Sequence, residues 1–336
     1  MSRALSIVVP VHNEAHELEA TLHALVRAVR ESPFDADVVL VDDGSTDGSA
    51  EVARSALHDA LPLTVVVQSK AGRFDARRAG IARAQSEFVL LLDGRVRMRP
   101  QSLAFAYRRI AAGETVWNGH VHVEVAGNPY GAFSNVLVEL AWREYFDHPR
   151  TTSYGVDEFD RYPKGTTCFL APRELLLSAV ETFESHYEDH RFANDDTPVL
   201  RWIAERESIH LSPSFACDYQ PRRSLGSFLR HSFHRGTVFL DGHGRRESRF
   251  YPAVLAFYPT SAGLALLAAR RPSLVPALGL GVAAAAAGVA FMTGRNTFET
   301  ASFAALAPIY AVAHGAGMWR GLALMGASSK QLSSAP

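Results

Sequence analysis

Short apolar runs that end on acidic loops are the feature of this sequence that most limits its fold. The clearest are residues 5–11 (LSIVVPV), 37–42 (DVVLVD) and 88–93 (FVLLLD). The carboxylates at or after these runs are Glu14, Asp42, Asp43 and Asp93. Short apolar runs between polar residues are typical of buried strands. Ligands of an open α/β sheet bind outside the carboxyl ends of its strands, so the pattern predicts a single acidic crevice that suits a nucleotide.

The apolar runs alternate with stretches of helical character. A fourth run lies at residues 63–68, and the helical stretches are residues 15–31, 47–57 and 74–84. This β-α-β order favours an α/β fold with a mostly parallel sheet and helices on both faces. Residues 115–220 are less regular, with strand-like pieces and one helix near 197–206, and we interpret them as the acceptor half of the same domain.

Composition narrows the class of protein further. The 336 residues are 47% hydrophobic, enough to bury a sizeable core, and a formal net charge of -1 argues against a nucleic-acid partner. Basic residues nevertheless crowd positions 222–249, where they would suit a phosphate or an anionic lipid surface. The only two cysteines, Cys168 and Cys217, predict neither a disulfide framework nor a zinc site. The N-terminus does not resemble a secretory signal, so we expect the catalytic part in the cytoplasm.

Three long apolar segments follow the basic strip. They are residues 251–269, 274–293 and 301–319, each close to the roughly 20 residues that span a bilayer. Pro252 and Pro259 interrupt the first, which we interpret as interfacial or spanning. The other two are expected to span as a hairpin with Arg295 and Asn296 outside, which predicts a multi-pass protein of the cell membrane.

Four motifs in order carry a resemblance to a known family. They are VVPVHNE, VDDGSTDGS, the helix start between Gly72 and Gly80, and LLLDG. Together they resemble the family 2 glycosyltransferases, which are inverting enzymes with the GT-A fold. The resemblance covers roughly residues 5–235 and implies a nucleotide-sugar-binding half at residues 1–110 and an acceptor and catalytic-base half at 111–240. The composition adds a basic juxtamembrane strip with membrane segments at 241–330.

The resemblance also assigns a donor site. It implies that Pro10, Glu14, Asp42 and Asp43 hold the base and ribose of a nucleotide sugar, with Asp93 and Gly94 at the end of the fourth strand. Lys70 and Arg73 precede the third helix, and we expect Arg73 to reach the nucleotide sugar; a surface role is the equal alternative for both. Carboxylates suit this role because they accept hydrogen bonds from ribose hydroxyls or a pyrimidine N–H. The alternative for Asp43 and its neighbours up to Asp47 is a turn followed by a helix N-cap, and both interpretations are compatible.

The family usually has Asp-x-Asp after the fourth strand, where a divalent cation meets the diphosphate. This chain has Asp93-Gly94-Arg95 instead, which puts a Mg²⁺ or Mn²⁺ site at Asp93 in doubt. We hypothesise that Arg95 supplies positive charge to the departing diphosphate. The alternative is that Arg95, with Arg97 and Arg99, faces solvent or pairs with acidic neighbours.

Asp195 and Asp196 precede the amphipathic stretch VLRWIAER and resemble the acidic pair that opens a helix in this family. The resemblance implies that Asp196 is the general base, with Asp195 beside it in the catalytic pair. An inverting transfer needs such a carboxylate to take the proton of the acceptor hydroxyl. The alternative is an N-cap pair without chemistry.

A basic cluster follows this pair. We expect Arg222, Arg223, His231 and Arg235 to contact the diphosphate or a lipid phosphate. The Arg-Trp signature of processive synthases is absent, which argues against a processive polysaccharide synthase. Trp117, His120, Trp142 and Tyr154 are unranked candidates for contacting the sugar.

These inferences predict a membrane-bound glycosyltransferase of the hexosyltransferase class. Its partners would be a nucleotide-sugar donor, a lipid-linked or cell-surface glycan acceptor, and membrane lipids. The competing hypothesis is a catalytically degenerate membrane subunit that binds a nucleotide sugar or glycan without turnover. A nucleotidyltransferase is disfavoured, since no Gly-rich, Lys-bearing loop follows the first strand.

Overall fold

The computed structural model describes residues 3–332, with side chains described for residues 3–326. The chain forms two compact units. The first contains the residues up to His122, Trp142–Glu184 and Asp195–Gln220, and the second contains Val123–Ala141, Ser185–Asn194 and the residues from Pro221 onward.

A mixed sheet is the centre of the first unit. Its strands are β1 (Ala4–Val11), β2 (Asp35–Asp43), β3 (Leu63–Gln68), β4 (Phe88–Leu92), β5 (Val96–Met98), β6 (Trp117–Val123), β7 (Thr152–Tyr154), β8 (Cys168–Pro172) and β9 (Ile209–Tyr219). They are ordered β3-β2-β1-β4-β8-β6-β9-β5, with β7 paired to β9. The pairs among β1, β2, β3 and β4 are parallel, and β8 then runs antiparallel to β4.

The helices of the first unit cover this sheet. They are α1 (Ala15–Arg30), α2 (Ser49–Leu57), α3 (Arg73–Arg83), α4 (Ser102–Ala111), α6 (Arg143–Phe146), α7 (Arg173–Glu181) and α8 (Thr197–Ala204). The helices of the second unit are α5 (Pro129–Ala141), α9 (Leu225–His243), α10 (Tyr251–Arg270), α11 (Val275–Met292) and α12 (Thr297–Leu332). Short 3₁₀ turns lie at Val156–Arg161, His190–Phe192 and Pro272–Leu274.

The apolar run of β1 is continuous because both faces of the sheet are covered. Ile7 packs in the cluster that contains the apolar side of α1, whereas its neighbour Val8 packs in the cluster on the opposite face, with Phe74 and Ile81 of α3. A parallel strand buried on both faces has no polar alternation, which explains the sequence pattern.

Close packing fixes the position of α3 on the sheet. A Cβ placed on Gly80 would lie 2.3 Å from Cγ1 of Val8, so only glycine allows the helix to approach β1 this closely. Arg77, almost one turn earlier, is brought into the buried layer as a result.

In the second unit, α12 packs along α9, α5 and α11. An apolar cluster joins these helices and includes Phe133 of α5, Phe228 of α9, Ala290 of α11 and Phe303 of α12. The helix α10 is continuous through Pro259, which the sequence suggested as an interruption. Proline costs an interior helix one hydrogen bond but does not end this helix.

The predicted α/β fold is confirmed, with a mostly parallel mixed sheet and helices on both faces. All three apolar segments are helices long and apolar enough to cross a membrane. The division at residues 110 and 240 stays a prediction, and the described structure groups residues 123–141 with the C-terminal helices.

Candidate functional site

The parallel strands bring the predicted carboxylates to one edge of the sheet. Pro10 and Val11 of β1 lie beside Val41 and Asp42 of β2, and β4 pairs with the other side of β1. Glu14 follows β1, Asp42 and Asp43 end β2, and Asp93 follows β4. Carboxyl ends of adjacent parallel strands meet at the same edge, which is why the sequence located these groups correctly on the sheet.

The two aspartates of β2 are already engaged within the protein. Asp43 accepts hydrogen bonds from the backbone N–H of Ala71 (2.7 Å) and Gly72 (2.9 Å) and from the Gln68 amide (2.8 Å). Asp42 accepts one from the N–H of Ser45 (2.7 Å). Asp43 therefore shapes the loop that leads into α3.

The turn after β2 fits the structural alternative raised for it. Asp47 accepts hydrogen bonds from the backbone N–H of Ser49 (3.1 Å) at the start of α2 and from that of Ala15 (2.9 Å). Asp47 therefore caps, while Asp42 and Asp43 lie at the strand end.

Gly94 and Arg95 lie against the loop after β1. A Cβ on Gly94 would approach Cγ1 of Val11 to 3.2 Å, and Nε of Arg95 lies 2.5 Å from Oε2 of Glu14. Arg97 pairs with Glu17 at 3.1 Å, and Arg99 pairs with Asp218 on β9 at 2.7 Å. These pairs agree with the alternative that the three arginines have acidic neighbours.

The centre of the site is a buried arginine that the sequence analysis missed. The guanidinium of Arg77 on α3 donates to Asp93 (2.6 Å) and to Asp195, and it lies 3.7 Å from Asp196. Burial opposes its charge, but Asp195 and Asp93 raise the pKa of Arg77 far above its usual value, so it stays protonated. A signal existed: Arg77 lies in the apolar stripe of α3 between Phe74 and Ile81, an unusual place for arginine.

The two carboxylates of the Asp195–Asp196 pair differ in exposure. The Asp195 side chain is 4% exposed and Asp196 is 35% exposed. Burial raises the pKa of Asp195 despite the neighbouring Arg77. Burial also acts on Asp196, but Arg77, Arg73 and the hydrogen bonds from Thr166 outweigh it and lower the pKa of Asp196.

Asp196 is positioned by Thr166 rather than by a capping bond. The backbone N–H (3.1 Å) and the hydroxyl of Thr166 both donate to Oδ1 of Asp196. Asp196 is the N-cap residue of α8, yet its side chain makes no capping hydrogen bond. This geometry disfavours the alternative of a purely capping pair.

Arg73 lies one turn before Arg77 on α3 and is exposed. Against some desolvation, Asp195 and Asp196 raise its pKa. The carboxylates of Asp93, Asp195 and Asp196 therefore face the guanidinium groups of Arg73 and Arg77. Lys70 lies elsewhere in the loop, with Nζ 2.8 Å from Nε2 of His12.

The predicted phosphate-binding residues belong to the second unit. Arg222 and Arg223 precede α9, and His231 and Arg235 lie one turn apart on it. Arg223 and Arg235 are exposed, whereas Arg222 and His231 are half-buried. Their contact with a phosphate stays a prediction.

The candidate sugar contacts separate by burial. Trp117 and Tyr154 are fully buried in the core, so neither is available to a ligand. His120 is buried against the hydroxyl of Tyr145 (2.7 Å), and burial lowers the pKa of His120 to about 4. Trp142 is half-buried, with the ammonium of Lys164 5.6 Å from its ring centre.

The donor set does not fit a protein-bound divalent cation. Arg77 occupies the carboxylate of Asp93, and a cationic side chain stands at position 95, where the family has its second carboxylate. Within residues 3–326, no group of three or more His, Cys, Asp or Glu side chains is arranged to bind a metal. Proteins of this fold commonly use such a cation, and the side chains at this site depart from that pattern.

Comparisons with known proteins agree with the strand-end motifs. A profile described as glycosyl transferase family 2 matches residues 6–174. The "Glycosyltransferase GlyG" of Streptococcus pneumoniae is 24% identical over 242 residues, covering 69% of this chain and 75% of that protein. The "Undecaprenyl-phosphate 4-deoxy-4-formamido-L-arabinose transferase" of Pseudomonas fluorescens is 32% identical over 207 residues, covering 60% of this chain and 58% of that protein. The chain thus spans less than two thirds of this relative.

Among solved structures, residues 1–349 of S. aureus TarS, crystallised with UDP-GlcNAc, superpose with a TM-score of 0.51. The sequence identity is 15%, and the match covers 98% of this chain and 92% of that one. At this identity the likeness establishes the fold alone. The family profile and the named relatives confirm the predicted family and the enzyme class, glycosyltransferase.

Proposed function

This chain belongs to the glycosyl transferase family 2, and on that premise we propose that it transfers a sugar from a nucleotide-sugar donor to a lipid-linked acceptor with inversion, using Asp196 as general base. The observation that carries the proposal is the half-exposed carboxylate of Asp196, positioned by Thr166 and by the buried Arg77 that also binds Asp93. One guanidinium thus connects the base to the strand end where the nucleotide is expected.

The chemistry of Asp196 follows from its environment. A lowered pKa keeps the carboxylate ionised at neutral pH, ready to take the proton of an attacking hydroxyl. Inversion requires this proton transfer on the face of the sugar opposite the leaving nucleotide. Asp195, buried against Arg77, is a positioning group in this scheme because it is closed to solvent.

The donor is assigned to the edge formed by β1, β2 and β4. Asp42 and Glu14 would meet the nucleoside, with Pro10 and Gly94 as close walls and Asp43 shaping the loop toward Arg73. The crowding of carboxylates matches nucleoside hydroxyls and ring N–H groups, which are donors.

We assign the neutralisation of negative charge on the diphosphate to arginine side chains. Arg95 pairs with Glu14 through Nε, and its terminal nitrogens make no hydrogen bond to any described residue. A guanidinium with a free edge can bind phosphate oxygens in a bidentate manner. Together with Arg73, which faces the carboxylates of Asp93, Asp195 and Asp196, this supports a transfer with weak dependence on divalent cations.

The lipid-linked acceptor is supported by the relatives named as undecaprenyl-phosphate sugar transferases and by the basic residues on and before α9. An apolar anchor beside such residues suits a substrate with an anionic head and a long apolar tail. The acceptor phosphate is assigned to Arg222, Arg223, His231 and Arg235.

The membrane anchor is assigned to α10 and α11 as a hairpin. At its start, Arg249 donates to the carbonyl oxygen of Ala141 (2.6 Å), and at its end Arg295 pairs with Glu139. Both partners lie in the last turn of α5, so the hairpin leaves and returns at one place.

The low buried fractions of α10 and α11 also support these two helices as the membrane-spanning pair. Within the protein, 6% of the apolar stretch of α10 and 11% of that of α11 are buried, against 33% for α12. This hairpin differs from the pair 274–293 and 301–319 that the sequence favoured. It places Arg270 and Arg271 on the far side, against the positive-inside tendency, yet both ends of the hairpin meet at α5.

Ser273→Cys and Thr293→Cys separate the two arrangements. On intact cells, a membrane-impermeant maleimide should label Cys at 273 and not at 293, and both after lysis. The reverse pattern would establish the α11–α12 hairpin. The unsubstituted chain is the background control, because Cys168 and Cys217 are buried.

The enzymatic proposal is tested by following nucleotide release from a panel of nucleotide sugars by detergent-purified protein, with membrane lipid extract as acceptor source. We expect turnover of one donor, and Asp196→Asn should lower kcat by about 10² to 10⁴-fold, the usual contribution of a general base. Asp189→Asn, the same change at a half-exposed aspartate that pairs with Arg191, should leave the rate unchanged. Donor binding without turnover would instead establish the degenerate-subunit alternative.

A further inference from the structure

A buried carboxylate in α9 has no part in the chemistry described above. Asp241 is fully buried in the last turn of this helix. It accepts hydrogen bonds from the backbone N–H of His186 (2.6 Å) and Asn194 (2.7 Å) and from the hydroxyl of Ser185 (3.0 Å). A helix C-terminus disfavours a carboxylate, so these three donors are what stabilise it there.

The donors lie at the two ends of one segment, residues 185–194. His186 and Ser185 are at its start, and Asn194 is its last residue, so one carboxylate closes the segment into a loop. The hydroxyl of Tyr187 donates to the carbonyl oxygen of Thr237 (2.8 Å), a second tie between this loop and α9.

Contact at the end of the loop is tight. A Cβ placed on Gly242, the residue after Asp241, would lie 2.2 Å from Nδ2 of Asn194. A larger residue at this point of α9 would push the Asn194 side chain aside. Both the backbone and the side chain of Asn194 are thus constrained by two consecutive residues of α9.

We propose that Asp241 is a positioning residue for the catalytic pair, fixing the end of the 185–194 loop from which Asp195 and Asp196 continue. The next residues along the chain carry the carboxylates that meet Arg77 and Thr166. Consecutive Cα atoms are about 3.8 Å apart, so a shift of Asn194 is passed almost directly to Asp195. The inference rests on the proposed role of Asp196 as base.

Two substitutions disturb the end of the loop by different means. In Asp241→Asn, one acceptor oxygen becomes an NH₂ group that faces a backbone N–H donor. In Gly242→Ala, the new methyl group displaces the Asn194 side chain. Because a misplacement of about 1 Å can cost roughly 10²-fold in rate, we expect kcat to fall about 10 to 100-fold in both.

The measurement is kcat and the donor KM for nucleotide release by the full-length protein in detergent, across pH. A displaced Asp196 loses its contacts with Thr166 and Arg77, so kcat should fall, the donor KM should stay within about twofold, and the acid limb of the rate should move to higher pH. Tyr187→Phe breaks the tie at the other end of the loop and should lower the melting temperature without moving the acid limb. Asp189→Asn is the control for a surface change on the same loop.

The outcomes separate the two proposals. No turnover by the unsubstituted protein with any donor overturns the proposed function itself. Turnover that persists unchanged in Gly242→Ala, or a fall in melting temperature alone in every folded variant, shows a merely structural Asp241 and overturns the inference. If Asp241→Asn does not fold, Gly242→Ala decides, because it leaves the carboxylate in place.

Discussion

Replacing Arg77 by methionine tests the electrostatic centre of the site. The guanidinium, 4% exposed, pairs with Asp93 and Asp195 and lies near Asp196. Methionine fills a similar volume without charge, so the substitution leaves three carboxylates together without their buried counterion. Breaking a buried ion pair by removing one partner costs about 3–5 kcal/mol.

This cost should appear as a lower melting temperature. For a unit of this size each kcal/mol corresponds to about 2–4 °C, so we expect Arg77→Met to melt about 6–20 °C lower at pH 7.5. The deficit should shrink toward pH 5, because protonation removes the uncompensated charge of Asp195, whose pKa burial already raises. A folded-state pKa raised above the unfolded value makes the variant less stable as pH increases.

Thermal unfolding in detergent, followed by intrinsic fluorescence between pH 5 and pH 8, measures both effects. The double variant Arg77→Met/Asp195→Asn removes one of the unpaired carboxylates and should recover at least half of the loss. Arg78→Met is the matched control, since the neighbouring arginine is half-exposed and contacts Asp75 and the ring of Phe74 rather than the buried carboxylates. A melting temperature within 2 °C of the unsubstituted protein at every pH would refute the assignment of Arg77 as a buried counterion.

Three further outcomes are expected. Because the pKa of Asp196 is lowered below its ordinary value of 3.8, kcat/KM of the unsubstituted protein should be level from pH 8 to pH 5. Thr166→Val removes a hydrogen bond to Asp196, so it should lower kcat and move the acid limb of the pH–rate profile to higher pH. An acid limb that does not move would contradict the role of Thr166. Activity of the unsubstituted protein should persist in excess EDTA. In Arg95→Gln it should fall at least about 10-fold, which is the scale of one lost charge-assisted hydrogen bond. Loss of activity in EDTA alone would refute the hypothesis that Arg95 replaces the metal. Gly80→Ala should destabilise the protein by about 1–3 kcal/mol, because its methyl group would overlap Val8; unchanged denaturant unfolding would show that α3 can move.

Local pattern was sufficient to predict the strand ends. Apolar runs precede Glu14, Asp42 and Asp93. Parallel strands joined by helical crossovers can pair in only a few arrangements, all of which place the strand ends at one edge. Each carboxylate lies within three residues of its strand, so its position in the fold follows from the local sequence alone. The family motifs were recognised at these positions for the same reason.

The contacts that organise the site were not accessible in this way. Arg77 and Asp195 are 118 residues apart, and only the tertiary fold shows that they meet. Arg95 was expected at a phosphate, and nothing local indicates that Glu14 is its neighbour. Trp117 was a candidate sugar contact because aromatic residues serve both cores and binding sites, and burial alone distinguishes the two.

The meeting of both hairpin ends at α5 has a practical consequence for making a soluble form of this protein. Truncation after residue 250 would remove α12 together with the hairpin and uncover the apolar face of α9 around Phe228. Excision of residues 251–292, with a short glycine-serine bridge between Phe250 and Thr293, would keep α12 packed on α9, since Arg249 and Arg295 both contact the last turn of α5. If α10 and α11 form the membrane anchor as proposed, the anchor is a removable insertion in the sequence of this enzyme.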